Sequence, residues 1–185
     1  MIVGNGIAGS SMNKQQWDTQ LAISPCSIPN FEVILFVNPN PSLVSSFERS
    51  MHVLCLTGTW CGDCALQGAA MHRIAEANPL VDLRFINRNE YPQLQMALPI
   101  NAGYRVPVTF FMAEDHEPVA RYGDRTLSRY RSMARKALPD SGAGVVLAEP
   151  PADPVRAVLQ EVLDEFERTQ LLLRLSPRLR QKHGD

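Results

Sequence analysis

The sequence predicts an α/β fold, a central mixed sheet with helices on both faces, followed by a separate amphipathic helix. Three observations carry the prediction. Short, apolar, β-rich runs alternate with segments of helical periodicity between residues 31 and 138. The last two such runs are joined by a short polar turn rather than by a helix, so the sheet closes on a hairpin. A Cys-x-x-Cys pair stands where one apolar run passes into a helical one. The element order is βαβαβαββα, and strands separated partly by helices and partly by a tight turn specify a mixed sheet.

The elements follow in order. Residues 1–30 form a leader without a clear pattern. Its Gly4, Gly6 and Gly9 match the glycine spacing of a dinucleotide-binding turn. The strand before them would be only three residues long, and Asn38 stands where an acidic ribose ligand belongs, so a capping or flexible leader is the better reading. Phe31–Val37 reads as a buried strand ended by Asn38-Pro39-Asn40-Pro41. Ser42 is placed to cap a short helix with Leu43, Val44, Phe47 and Met51 on one face. His52–Thr57 is a central strand, Cys61–Ala77 a helix stopped by Asn78-Pro79, Val81–Asn87 a strand, and Pro92–Leu98 a short helix. Val106–Met112 and Val119–Tyr122 are strands joined by the turn Glu114–Pro118, and Thr126–Leu138 is a further helix.

This domain, 31–138, is followed by a Pro-, Gly- and Ala-rich linker at 139–154 and by a C-terminal segment, 155–185. There Val155, Val158, Leu159, Val162, Leu163 and Phe166 make an apolar stripe, with Glu161, Asp164, Glu165 and Glu167 mostly off it. The stripe is expected to fold back on the domain, bringing those acidic residues towards the arginine-rich helix at 125–136. Residues 174–183 read as a basic tail. Truncation after Leu138 is expected to lower the melting temperature while leaving Cys61 reactive.

Of the 185 residues, 45% are hydrophobic and 20% charged, which is enough apolar material for a core. A net charge of −1 gives no field for nucleic acid, and no run is long enough for a membrane span. No secretory signal pattern opens the chain, so a cytoplasmic location is expected. Four cysteines, at 26, 55, 61 and 64, are too few and too uneven for a secreted disulfide scaffold.

The chemistry is in Trp60-Cys61-Gly62-Asp63-Cys64. With the second cysteine in the first helical turn, the pair can close a disulfide. The free N–H groups and positive dipole end of that turn favour a thiolate on the first cysteine. Cys61 is then the nucleophile that attacks a disulfide, and Cys64 resolves the mixed disulfide. Zinc uses the same spacing but needs two further ligands. Cys26 and Cys55 are single, and His52, His72, His116 and His183 are scattered, so no metal site is expected. No other cofactor is expected either.

In this context the sequence resembles the thioredoxin family. Trp60–Cys64 is similar to the family's Trp-Cys-Gly-Pro-Cys, Arg105-Val106-Pro107-Val108-Thr109 to its cis-proline stretch, and Gly123 to a glycine ending its last strand. The resemblance spans about residues 31–138 and implies a thioredoxin fold with thiol–disulfide oxidoreductase activity. It also implies a cis Val106–Pro107 bond facing the cysteines, in a loop where an extended substrate pairs with the backbone. The substrates implied are protein or low-molecular-weight disulfides, with a thioredoxin-reductase-type electron donor. Two departures stand out. Asp63 replaces the family's proline and is expected to oppose thiolate formation. Cys55 stands where the family buries a carboxylate, and Arg84 near that carboxylate's lysine partner, so exchange would be slower or rely on water or Asp63.

Beside these readings, Cys55 is simplest as a small buried hydrophobe. Trp60 could serve packing alone, but beside an exposed thiol it is better read as shielding the thiol or contacting substrate, as aromatic residues do at contact surfaces. Gly62, Asp63, Cys55 and Arg84 are taken as modulating residues, and Trp60, Val106 and Pro107 as substrate-binding ones. Arg121, Arg125, Arg129, Arg131, Arg135 and Lys136 read as a solvated face, with docking of an acidic partner as the alternative. The rival function is a redox sensor or adaptor that oxidises without turnover and uses its C-terminal helix on a partner.

Overall fold

The computed structural model describes residues 40–138 and 149–185. The leader with its glycines and Cys26, the expected strand Phe31–Val37, and linker residues 139–148 lie outside the described residues.

Helix α1 (Pro41–Ser45) is capped by Asn40, whose side-chain oxygen accepts the Leu43 N–H at 3.3 Å. Proline enters at the first helical position, where its missing N–H costs nothing. The cap is thus Asn40 rather than Ser42, and the helix is shorter than its apolar spacing suggests, because Met51 belongs to the first strand. Buried Asn78 holds this corner, donating to the Val44 and Phe47 carbonyls at 2.8 and 3.1 Å.

Four described strands, β1 (Met51–Thr57), β2 (Val81–Asn87), β3 (Val108–Ala113) and β4 (Pro118–Gly123), lie in the order β2-β1-β3-β4. β1 is parallel to β2 and antiparallel to β3, and β3 and β4 form the antiparallel hairpin. Residues 106 and 107, expected to open the third strand, precede it. Alternation along β1 divides the core. Met51, Val53 and Cys55 pack with Ala70, Met71 and Ile74 of α2 (Gly62–Ala77). Leu54 and Leu56 pack with Leu94 of α3 (Pro92–Ala97), and with Leu98, Ile86 and Met112, on the other face. Helices therefore cover both faces of the sheet.

Helix α4 (Leu127–Ala137) is capped by Thr126, whose hydroxyl accepts the Arg129 N–H at 3.3 Å. It is almost wholly polar on the inside, with Ser128 its one fully buried residue. The long α5 (Pro154–Leu175), capped by Asp153, buries Val158, Val162, Leu163, Phe166 and Leu173 in the α2 side of the core, where Phe166 meets Phe111 edge-on at 5.1 Å. Its Gln170 donates to the Arg49 carbonyl at 2.6 Å and accepts the Arg49 N–H at 3.1 Å, fastening the helix to the chain before β1. The acidic residues of α5 meet α4 differently from the expectation. Glu161 accepts the Leu127 and Ser128 backbone N–H groups at 2.5 and 2.9 Å, placing its charge at the positive end of α4. Asp164 accepts instead from Gln160 at 2.7 Å, and Glu165 lies 3.9 Å from Arg168, both within α5.

The basic tail is also corrected. Pro177–His183 forms α6, which starts at proline and ends at Gly184 in the left-handed conformation (φ 79°). Leu179 is buried beneath it, Lys182 and His183 pair with Glu114, Arg178 pairs with Asp115, and Arg49 pairs with Asp185. Opposite charges on the β3–β4 turn and at the chain end hold the basic residues down.

Candidate redox site

The strand β1 ends at Thr57, and three residues later Cys61 occupies the N-cap of α2 in extended conformation. Its Sγ accepts the Cys64 backbone N–H at 3.2 Å, the bond that a Ser or Asp oxygen makes at an ordinary N-cap. The Cys61 thiol is partly exposed and lies 3.6 Å from the Val106 carbonyl, to which it donates. Cys64, one turn further in, is 1% exposed and packs against Leu54 and Leu56. Both are free thiols. Burial and the hydrogen bond with Cys61 push the Cys64 thiol far above the ordinary thiol range. Hydrogen bonds from the Thr57 hydroxyl and the Gly58 backbone offset only part of that rise. The arrangement divides the labour: one sulfur is accessible at a helix start, and the other is sealed and protonated behind it.

The loop opposite is built around Pro107. The Val106–Pro107 peptide is cis, both residues are buried, and the Val106 carbonyl faces Cys61. Gly123, paired with Val108 across the hairpin, makes this packing possible. Its φ is 142°, and a Cβ there would stand 2.4 Å from the Pro107 carbonyl oxygen. Trp60 is 61% exposed beside the pair, with the Arg88 guanidinium 5.1 Å from its ring centroid. Arg88 also donates to the Tyr104 carbonyl at 2.6 Å, so it links the Trp60 side of the site to the loop before Pro107. Gly62 is exposed, with open space where a side chain would go.

A family model for thioredoxins matches residues 35–136, more than half of the chain. The protein belongs to the thioredoxin family. No curated protein matches it. Among solved structures, a protein of unknown function from Pseudomonas aeruginosa is 18% identical with a TM-score of 0.48, covering 69% of this chain and 72% of that one. Mitochondrial thioredoxin 3 from Saccharomyces cerevisiae, in its oxidized form, is 14% identical with a TM-score of 0.36, covering 52% and 85%. Thioredoxin from Fasciola hepatica is 16% identical with a TM-score of 0.35, covering 51% and 88%.

Within this thioredoxin-family chain the remaining candidates divide. Cys55 is buried, 1% exposed, in β1, but it packs in the α2–α5 part of the core while Cys64 packs in the other. Arg84 does not serve position 55. In the parallel register Arg84 is level with Leu54 and Cys55 with Phe85, so the two side chains leave opposite faces of the sheet. Arg84 binds Asp82 instead, at 3.2 Å.

Asp63 is the larger correction. Its carboxylate receives Arg125 Nε at 2.9 Å on one oxygen and Arg129 Nε at 3.0 Å on the other. Two arginines of the supposedly solvated face therefore belong to the site. Arg125 also donates at 3.3 Å to buried Asp124, which receives Arg105 at 3.3 Å and the Tyr130 hydroxyl as well. Burial works to raise the Asp124 carboxyl, but Tyr130, the neighbouring backbone amides and Arg125 hold it below the ordinary carboxylate range. Burial likewise works against the Arg125 charge, and Asp63, Tyr130 and Asp124 more than restore it. The sequence reading placed Asp63 at the site but read Arg125 and Arg129 as a solvated face and did not single out Asp124 or Tyr130, although a carboxylate between two cysteines is itself a signal that cations should be near. Among the described residues no group of His, Cys, Asp and Glu is placed to hold a metal, and no helix is long and apolar enough to cross a membrane.

Proposed function

We propose that this chain is a thiol–disulfide oxidoreductase that reduces protein or low-molecular-weight disulfides through Cys61 and Cys64. The observation that carries the reading is the position of Cys61, an accessible sulfur at a helix N-cap that faces the Val106 carbonyl beside Pro107. Cys61, as thiolate, attacks one sulfur of the substrate disulfide. A bond forms between Cys61 and that sulfur, and the other substrate sulfur leaves with the electron pair and takes up a proton. Cys64 then loses its proton, attacks the Cys61 sulfur, and releases the second substrate thiol. The Cys61–Cys64 disulfide remains, and two electrons have passed to substrate. Val106 and Pro107 offer backbone to an extended substrate chain, which Trp60 flanks. A thioredoxin-reductase-type donor in a reducing compartment such as the cytoplasm would restore the dithiol.

Burial of Cys64 makes the second step the demanding one, because a thiol sealed from water gives up its proton with difficulty. That observation favours a second reading, a sensor or adaptor that oxidises and does not turn over. The decisive experiment pairs insulin reduction with trapping. Under the first reading Cys64→Ser accumulates a mixed disulfide on Cys61, Cys61→Ser forms none, and the unaltered protein turns over with a reductase. Trapping without turnover selects the sensor, and absence of trapping rejects both.

A further inference from the structure

Asp63 lies between the two cysteines and in the first turn of α2, so an uncompensated carboxylate there would oppose negative charge on Cys61. Its side chain is 16% exposed, which removes much of the water that would otherwise screen it. The protein meets this with two guanidinium groups, each bonded through Nε to a different carboxylate oxygen. Neither comes from α2. Arg125 precedes the Thr126 cap of α4 and Arg129 lies in its first turn, so the same two bonds hold α4 over the start of α2.

Resting on the oxidoreductase reading, we propose that Arg125 and Arg129 are positioning residues of the Cys61 centre, outweighing the Asp63 charge so that the nucleophile works beside an ion-pair cluster with no net negative charge. The other charged groups around the site agree with this role. Asp124 is already bound by Arg105, Arg125 and Tyr130, and Arg88 lies over Trp60. Asp124 therefore leaves no spare negative charge facing the pair. The bonds also run from Asp63 through Arg125 and Asp124 to Arg105, next to Val106. The segment between the cysteines and the loop that faces them are thus tied by one chain of charged hydrogen bonds.

The test uses the reduced full chain and measures alkylation of Cys61 by iodoacetamide across acid to mildly alkaline pH, with the modified residue identified by mass spectrometry. Arg129→Gln should slow the reaction at neutral pH by about threefold to tenfold and move its pH profile upwards. Arg129→Lys should restore part of the rate. In the Asp63→Asn background the same Arg129→Gln change should alter the rate by less than about twofold, because the carboxylate that holds the exposed guanidinium at the site is gone. Equal slowing in both backgrounds, or no slowing in the first, overturns the proposal. Arg129 is 52% exposed, so its replacement should fold. Were it not to, Asp63→Asn alone decides, since a slower rate in that variant contradicts the proposed role. Alkylation requires no disulfide substrate, so failure of the exchange reaction would reject the oxidoreductase reading without mimicking either result.

Discussion

Replacing Phe166 tests whether α5 is part of the domain or an appendage. Its ring is fully buried, meets Phe111 edge-on at 5.1 Å, and lies in the cluster that joins α2, β1, β3 and α5. Truncating such a side chain costs its transfer free energy and leaves a cavity, together about 3–5 kcal/mol. The edge-on contact accounts for about 0.5–1.5 kcal/mol of that. For a chain of this size about 1 kcal/mol moves the melting temperature by about 2–4 °C, so Phe166→Ala should melt roughly 6–20 °C lower. Urea unfolding followed by circular dichroism measures the same loss as a lower midpoint. The double variant with Phe111→Ala should lose less than the sum of the single losses, because both remove the same contact. A loss below about 1 kcal/mol would refute the reasoning and make α5 a weakly docked segment. The same arithmetic corrects the expected effect of truncation after Leu138. Six large side chains, Val158, Val162, Leu163, Phe166, Leu173 and Leu179, leave the core with it. At about 1.5–3 kcal/mol each they match the entire stability of an ordinary domain, about 5–15 kcal/mol. The truncated chain should therefore lose its cooperative melt.

Gly123→Ala places a Cβ 2.4 Å from the Pro107 carbonyl oxygen at a positive φ, so it should destabilise the protein by more than about 1 kcal/mol and slow exchange; an unchanged midpoint and rate would contradict that packing. Asp124 and Glu114 both titrate below their usual range in the fold, the first through Tyr130, backbone amides and Arg125 and the second through Lys182 and His183, although burial opposes both. Groups depressed in the folded state add stability that is complete above their unfolded values, about 3.9 for Asp and 4.3 for Glu, and is lost as pH falls through the folded values. Urea midpoints should therefore drop on acidification through that window, less steeply in Asp124→Asn, and an equal slope would exclude Asp124 as a contributor. Glu161→Gln removes the charge at the α4 N-terminus and should cost about 0.3–1 kcal/mol, read as a small fall in melting temperature relative to the unaltered protein, a difference that high salt should narrow.

Much of the fold was legible because it rests on periodicity. The strands β1 and β2 and helix α2 lie within a residue of their expected bounds, since their apolar spacing and the Asn78-Pro79 stop are local signals. The placement of Cys61 at the start of α2 follows from the same local pattern. The misread features depend on information that spacing does not carry. Whether Arg84 serves position 55 is decided by the register of β1 against β2, and a shift of one residue changes the face. Arg125 and Arg129 have the spacing of any solvated helix face, and only the approach of α4 to α2 gives them Asp63 as a partner. The helix α6 was legible in principle, with proline at its first position and glycine at its end, but its dense positive charge resembles a tail until Glu114 and Asp115 are found opposite.

The two C-terminal helices explain one another. A helix that covered the sheet itself would bury an apolar stripe, and α4 buries none: Leu127 and Met133 are exposed, and Ser128 is its one buried residue. Helix α5 supplies the missing stripe from further along the chain and packs against α2 and β4. Relieved of the core, α4 can devote its first turn to the redox segment. There Thr126 and Glu161 satisfy its amides, Tyr130 binds Asp124, and Arg129, with Arg125 just before it, reaches Asp63. The aspartate between the two cysteines finds its two guanidinium partners because the start of that helix lies over the start of α2. Helix α5 thus bears on the segment between the cysteines indirectly, by covering the sheet so that α4 is free to reach Asp63.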